Sequence, residues 1–110
     1  MSETTVPVLI AGSWRQSAAV GTFQAENPSL GEALPENYPV SSREEVLEAI
    51  RAGSEAAEAL RTTGGERIAA FLEAFAAGIE ARADELVELA HTETGLPRTP
   101  RLKGVELPRT

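Results

Sequence analysis

His91 is the only histidine in the chain. A neutral imidazole suits proton transfer near neutral pH, and it is also a common metal ligand. Both roles need company, and the sequence supplies no second histidine and no cysteine. His91 therefore reads as an exposed or hydrogen-bonded structural residue. Two carboxylate groups follow the same logic. Glu44, Glu45 and Glu48 share one helical turn, as do Asp84, Glu85 and Glu88. Paired carboxylates can do acid–base work. Near helix N-termini they more often favour the macrodipole and face water, and that is the expectation for both groups.

The remaining candidates are weaker. Trp14 and Tyr38 could stack on a ligand, but core packing or a covered rim is the expectation. Gly64-Gly65 before a helical pattern could mark an anion site. No strand precedes it, so a plain helix-linking turn is expected. No glycine-rich phosphate loop occurs. The absence of cysteine removes disulfides, thiolate metal sites and sulfur nucleophiles together. No catalytic, cofactor-binding or metal residue is assigned from the residues alone.

The elements that would position these groups can be read from pattern. Residues 1–5 look like a frayed polar start. Val8-Leu9-Ile10, the turn Ala11-Gly12-Ser13 and Trp14-Arg15 read as strand, tight turn and returning strand. A turn near Gly21 should lead into a strand over Thr22–Glu26. Asn27-Pro28-Ser29-Leu30-Gly31 is a turn. Ala33–Val40 should be extended, with Pro35 and Pro39 confining it to an edge.

At Ser42 the period changes. Ser42-x-x-Glu45 has capping-box spacing, and Ser41-x-x-Glu44 offers the same one residue earlier. Val46, Leu47, Ile50, Ala57 and Leu60 then recur at helical spacing, predicting a helix from about 43 to 61. Gly53 inside it marks either a close backbone approach or nothing. Thr63-x-x-Glu66 can cap a second helix, whose apolar stripe is Ile68, Phe71, Leu72, Phe75 and Ile79. A third starts near Asp84 and stops at Gly95 and Pro97. Whether the second and third are one bent rod is open. Three prolines in the last 14 residues argue against a continuous helix there. The regions are 1–40 strand-rich, 41–97 helical and 98–110 a basic, proline-rich tail that reads as truncated. The fold class is α+β.

Composition bounds the rest. The 110 residues carry a net charge of −7 and are 42% apolar, enough for one small domain. Only three Phe, one Trp and one Tyr supply bulk, so an internal core would be thin. An acidic surface argues against nucleic acid and anionic lipid as partners. The tail is the exception: Arg98, Arg101, Lys103 and Arg109 oppose Glu106 alone, and they read as solvated or ion-paired. The N-terminus lacks a secretory signal, and no run approaches a membrane span. A cytoplasmic protein is the default.

Several short motifs resemble the N-terminal end of the aldehyde dehydrogenase superfamily. They are Val8–Trp14 as an opening strand and turn, Asn27-Pro28-x-x-Gly31-Glu32, Val40-Ser41-Ser42 with Glu45-Val46, Arg61 with Glu66-Arg67 and Leu72, Ala83–Leu86, and Glu93-Thr94-Gly95-Leu96-Pro97. Their joint order and spacing carry the resemblance. Leu96 stands where the usual pattern has lysine. With Arg101-Leu102 and Glu106-Leu107-x-Arg109-Thr110, this is closer to the branch containing α-ketoglutaric semialdehyde dehydrogenases.

The resemblance implies an α/β parent enzyme that oxidises an aldehyde to a carboxylic acid with NAD or NADP. A cysteine thiolate would attack the carbonyl, hydride would pass to the nicotinamide, and a glutamate-activated water would release the acid. In the family those groups lie beyond position 110, so none is carried over. The monovalent-cation positions of some members would match Ala25 and Glu26, without an assignment here. The expected partner is the missing catalytic and cofactor-binding domain, with oligomerisation or self-association as a further expectation. Alone, the chain should be inactive. A stand-alone interaction module and one subunit of a split enzyme remain as alternatives.

Overall fold

The computed structural model describes residues 4–110. In chain order the elements are β1 Val8–Ile10, β2 Ser13–Arg15, β3 Ala19–Asn27, β4 Glu32–Ser41, α1 Arg43–Arg61, α2 Gly65–Ala81, α3 Ala83–Thr94, a π-helical segment Arg98–Glu106 and the short α4 Leu107–Arg109. The class is α+β, as the sequence pattern indicates. Two compact units result: one holds the residues up to Ala25 and Leu34–Thr63, the other Glu26–Ala33 and Gly64–Thr110. Of the polar start expected at residues 1–5, residues 1–3 lie outside the described ones.

In the first unit, β1 and β2 pair antiparallel with Val8 opposite Arg15 and Ile10 opposite Ser13. Ala11 and Gly12 between them take φ of 51° and 79°, the twin positive values that a tight hairpin turn needs. β3 and β4 form the second two-stranded sheet. Only four residues join them, a connection that an antiparallel pair alone can use. Phe23 and Tyr38 stack across it with ring centroids 5.6 Å apart. The turn expected near Gly21 does not form: β3 already runs from Ala19, and Gly21 sits inside it against Val40. Pro35 and Pro39 are tolerated in β4 because every strand of a two-stranded sheet is an edge. The Val6 N–H donates to the Asn37 carbonyl at 2.8 Å.

Helix α1 starts where the sequence places it. Ser42 is the N-cap, and its hydroxyl accepts from the Glu45 N–H at 3.2 Å. The helix packs against β1. Gly53 has open space around it, so no backbone approach accounts for it.

In the second unit, the Asn27 carbonyl accepts from the Leu30 and Gly31 amides at 3.2 and 2.8 Å. The Asn27 side chain accepts from the Ser29 N–H at 3.0 Å, which closes an Asx turn. Helix α2 begins without a side-chain cap at Gly64. The capping role expected of Thr63 fails because its hydroxyl donates backwards to the Ala59 carbonyl, at 3.1 Å. Arg82, at φ −109° and ψ 18°, breaks the rod, so α2 and α3 are separate helices. Gly95 closes α3 in the left-handed conformation, φ 71°, its N–H donating to the His91 carbonyl at 2.9 Å.

The tail differs from expectation. It is helical beyond Thr99, which is itself extended at φ −135° and ψ 140°. The Leu102 N–H reaches five residues back to the Pro97 carbonyl, at 3.1 Å. The prolines do not forbid this. Pro100 follows the extended Thr99, and Pro108 falls in the first turn of α4. At such positions no donor is missed.

Little of the apolar surface is covered. Among the described residues the buried apolar side chains are Ile10 in the first unit, and Val87 and Leu102 in the second. Phe71, Leu72 and Phe75 on α2 stay 66%, 59% and 59% exposed.

Candidate functional site

The most developed polar constellation lies at the start of α1. Glu45 is the third residue of that helix, where the capping box would turn its carboxylate back to the Ser42 N–H. That amide is already taken: it donates to the Ala18 carbonyl at 3.0 Å. The Glu45 carboxylate instead accepts from the Ala18 N–H at 3.0 Å and from the Ser17 hydroxyl. Ser17 also meets Ser41 at 3.3 Å. Arg15 adds a cation 3.9 Å from Glu45 and forks onto Glu48 with contacts of 2.9 and 2.6 Å. Glu45 is 4% exposed. The solvent-facing cluster expected of Glu44, Glu45 and Glu48 therefore holds only for Glu44, which stays exposed. The missed signal was Ser17-Ala18, a hydroxyl and a small residue ahead of a strand.

Chemically, this arrangement holds a charge. Hydrogen bonds from Ser17, from the Ala18 amide and from Ser41, with the Arg15 charge, pull the Glu45 pKa below the ordinary carboxylate value. The Arg15 hydrogen bond does the same to Glu48. A carboxylate so held is a poor general base and rarely carries a proton to donate. The constellation ties the β2–β3 link to the first turn of α1.

The second acidic group is consumed in the same way. Asp84 lies 3.3 Å from Lys103, Glu85 bonds Arg82 at 2.7 and 3.0 Å, and Glu88 bonds Arg98 at 2.6 and 2.7 Å. Arg101 pairs with Glu106 at 2.7 Å. Hydrogen bonding from the arginines lowers the pKa of Glu85 and of Glu88. The basic tail is thus ion-paired, largely onto α3. His91 Nδ1 donates to the Leu96 carbonyl at 2.7 Å, a bond that fastens the helix end. No cluster of three metal-ligating side chains occurs among the described residues.

Trp14 is 69% exposed, against the expectation of a packed or covered ring. Tyr38 is half-buried on Phe23. Gly64-Gly65 links two helices rather than following a strand, and the Gly64 carbonyl accepts from the Arg67 and Ile68 amides. Beside α2 and α3 runs a groove of about 400 Å3, lined by Phe75, Ile79, Leu86, Val87, Leu102 and Leu107. No helix among the described residues is long and apolar enough to cross a membrane.

Comparison with known proteins gives the family. The family model described as "Aldehyde dehydrogenase family" matches residues 14–108. An α-ketoglutaric semialdehyde dehydrogenase 2 of Azospirillum brasilense is 37% identical over 97 residues, covering 87% of this chain and 18% of the relative. A malonate-semialdehyde dehydrogenase 2 of Geobacillus kaustophilus (strain HTA426) is 36% identical over 91 residues, covering 83% and 19%. The chain thus spans about a fifth of the length of these curated relatives. No solved structure gives a significant match. With nearly all of its elements inside the matched region, the chain belongs to the aldehyde dehydrogenase family.

Proposed function

We propose that these 110 residues form a structural part of an enzyme that oxidises an aldehyde to a carboxylic acid with NAD or NADP, and that they do not catalyse the reaction alone. The observation that supports this most directly is the family match over residues 14–108 in a sequence without a cysteine. Oxidation through a thioester needs a thiolate, so the nucleophile comes from elsewhere in the assembled enzyme. The dinucleotide, when bound there, accepts the hydride. The residues described above have another task. The Glu45 constellation fixes the link between strand and helix, and the ion pairs on α3 hold the tail. The exposed side chains of α2 leave an apolar face for the rest of the enzyme. A cytoplasmic setting agrees with the absence of thiols.

The relatives' names suggest the substrate class. Both act on semialdehydes, which carry an aldehyde at one end and a carboxylate at the other. We assign the same class to the enzyme that contains these residues. Nicotinamide reduction at 340 nm tests both statements, the first on the chain alone and the second on the enzyme that contains it. The 110-residue chain alone should give no signal with malonate semialdehyde, and turnover by the purified chain would overturn the proposal. Reading the gene beyond codon 110 separates the remaining outcomes. A continuous frame with strand–helix units and a later cysteine supports an intact dehydrogenase. A separate frame of that kind points to a split enzyme. A stop with neither points to a stand-alone interaction module.

A further inference from the structure

The sheet of β3 and β4 has two outer edges, and they differ. The edge along β4 carries Pro35 and Pro39, which have no N–H to offer, and its Asn37 carbonyl is taken by the Val6 amide. Nothing interrupts the edge along β3. Its residues Ala19 to Ala25 hold no proline and no charged side chain, in a chain that is 25% charged. Among the described residues no further strand pairs with it. Ala19 to Gln24 are exposed, Val20 by 74% and Phe23 by 55%. All seven residues belong to the first unit. Natural sheets usually blunt such an edge with charge, proline or a bulge.

We infer that β3 pairs with β3 of a second copy of this chain, antiparallel about a two-fold axis at Thr22. The residues of the stretch select that register. Ala19 falls opposite Ala25, Val20 opposite Gln24 and Gly21 opposite Phe23, while Thr22 faces its own counterpart. Each Phe23 then covers the bare backbone of the other copy's Gly21, which compensates the weakness of glycine in a strand. There is room for it, since a Cβ added at Gly21 would meet only Val40, at 4.0 Å. Facing threonines can hydrogen-bond, and no like charges oppose one another. Other partners for the edge fit less well. A parallel copy in register sets Gly21 beside Gly21 and Glu26 beside Glu26. The β4 edge of a second copy presents its prolines. A two-fold pair closes on itself, so the product is a dimer. Seven strand residues span only about 24 Å. The dimer is therefore weak, with a dissociation constant on the order of 100 μM. The inference concerns the chain itself and stands apart from the enzyme reading.

The test uses the full 110-residue chain, which has no cysteine of its own. Thr22→Cys and Val20→Cys each introduce a single thiol. Across the axis the two Cβ atoms at position 22 lie about 5 Å apart, near disulfide reach. Those at position 20 lie about 14 Å apart along the strands. Under mild oxidation Thr22→Cys should cross-link about tenfold faster or more than Val20→Cys. Sedimentation equilibrium reads the uncrosslinked pair. Thr22→Lys and Thr22→Glu should each run as monomers, because like charges then oppose at the axis, and an equal mixture of the two should regain the dimer. Position 22 is exposed, so circular dichroism should be unchanged; the cysteine pair decides if a charged variant loses its fold. Phe71→Ser, on the α2 stripe, should leave the dimer in place. Equal cross-linking at the two positions, a chain that stays monomeric well above the stated constant, folded charged variants that do not re-pair, or a dimer that Phe71→Ser dissociates each overturn the inference.

Discussion

At the scale of single residues, Glu45 shows how a carboxylate becomes structural. Its native pKa lies below the ordinary value of 4.5 because Ser17, Ala18, Ser41 and Arg15 favour the charged form. The sign follows. A group with a depressed native pKa contributes stability that is fully present above the unfolded value and is lost as pH falls through the native one. Thermal melts should therefore hold level down to about pH 4.5 and then decline. Glu45→Gln should lower the melting temperature at pH 7 and flatten part of the acid decline. Glu48, Glu85 and Glu88, also depressed, should keep the remainder. An unchanged acid profile in Glu45→Gln would show that its charge does not matter. Gly95 is the other sensitive position. Its φ of 71° disfavours any side chain, and an added Cβ would lie 3.2 Å from Ser29 Oγ and 3.4 Å from Pro28 Cγ. Gly95→Ala should cost about 1–2 kcal/mol in urea denaturation.

At the scale of elements, the tail depends on one apolar anchor. Leu102, 5% exposed, lies between two clasps: Arg98 on Glu88 and Lys103 on Asp84. Exposed ion pairs contribute little each, whereas truncating a buried leucine costs about 2–5 kcal/mol. Leu102→Ala should therefore release the tail, read as faster tryptic cleavage at Arg101 and Lys103, more effectively than Lys103→Ala does. Elements differ in how far the sequence announces them. The bounds of α1 and α3 were legible because Ser42 and Gly95 act on their own neighbours. The partners of Glu45 were not legible, since Ser17 and Ala18 lie 28 and 27 residues away. Helicity in the tail was hidden because proline is neutral or disruptive according to where the first turn starts. The extended Thr99 sets that start.

For the whole molecule, periodicity tells which side chains share a face but not what covers it. The α2 stripe was visible in the sequence as Ile68, Phe71, Leu72, Phe75 and Ile79, and its coverage was not. An exposed apolar face of this kind should bind a hydrophobic dye under native conditions. The 110-residue chain should thus enhance the fluorescence of such a dye at pH 7, and Phe71→Ser should reduce the signal. A dye-silent chain would mean that the face is covered in solution. The same limit explains why the candidate site came out differently from its reading. Composition left the candidate residues without an assigned role, and the holding role of Glu45 emerged only from three-dimensional neighbours.

Ala18 gives both of its backbone groups to the beginning of α1, one to Glu45 and one to Ser42. Helix nucleation is usually a local event that closes within one turn. Here the opening turn also draws on a residue on the far side of a strand pair, so the start of the helix is fastened by bonds that close a long loop as well as by its own cap. A peptide spanning Arg43–Arg61 alone lacks those bonds and should fray more at its first turn.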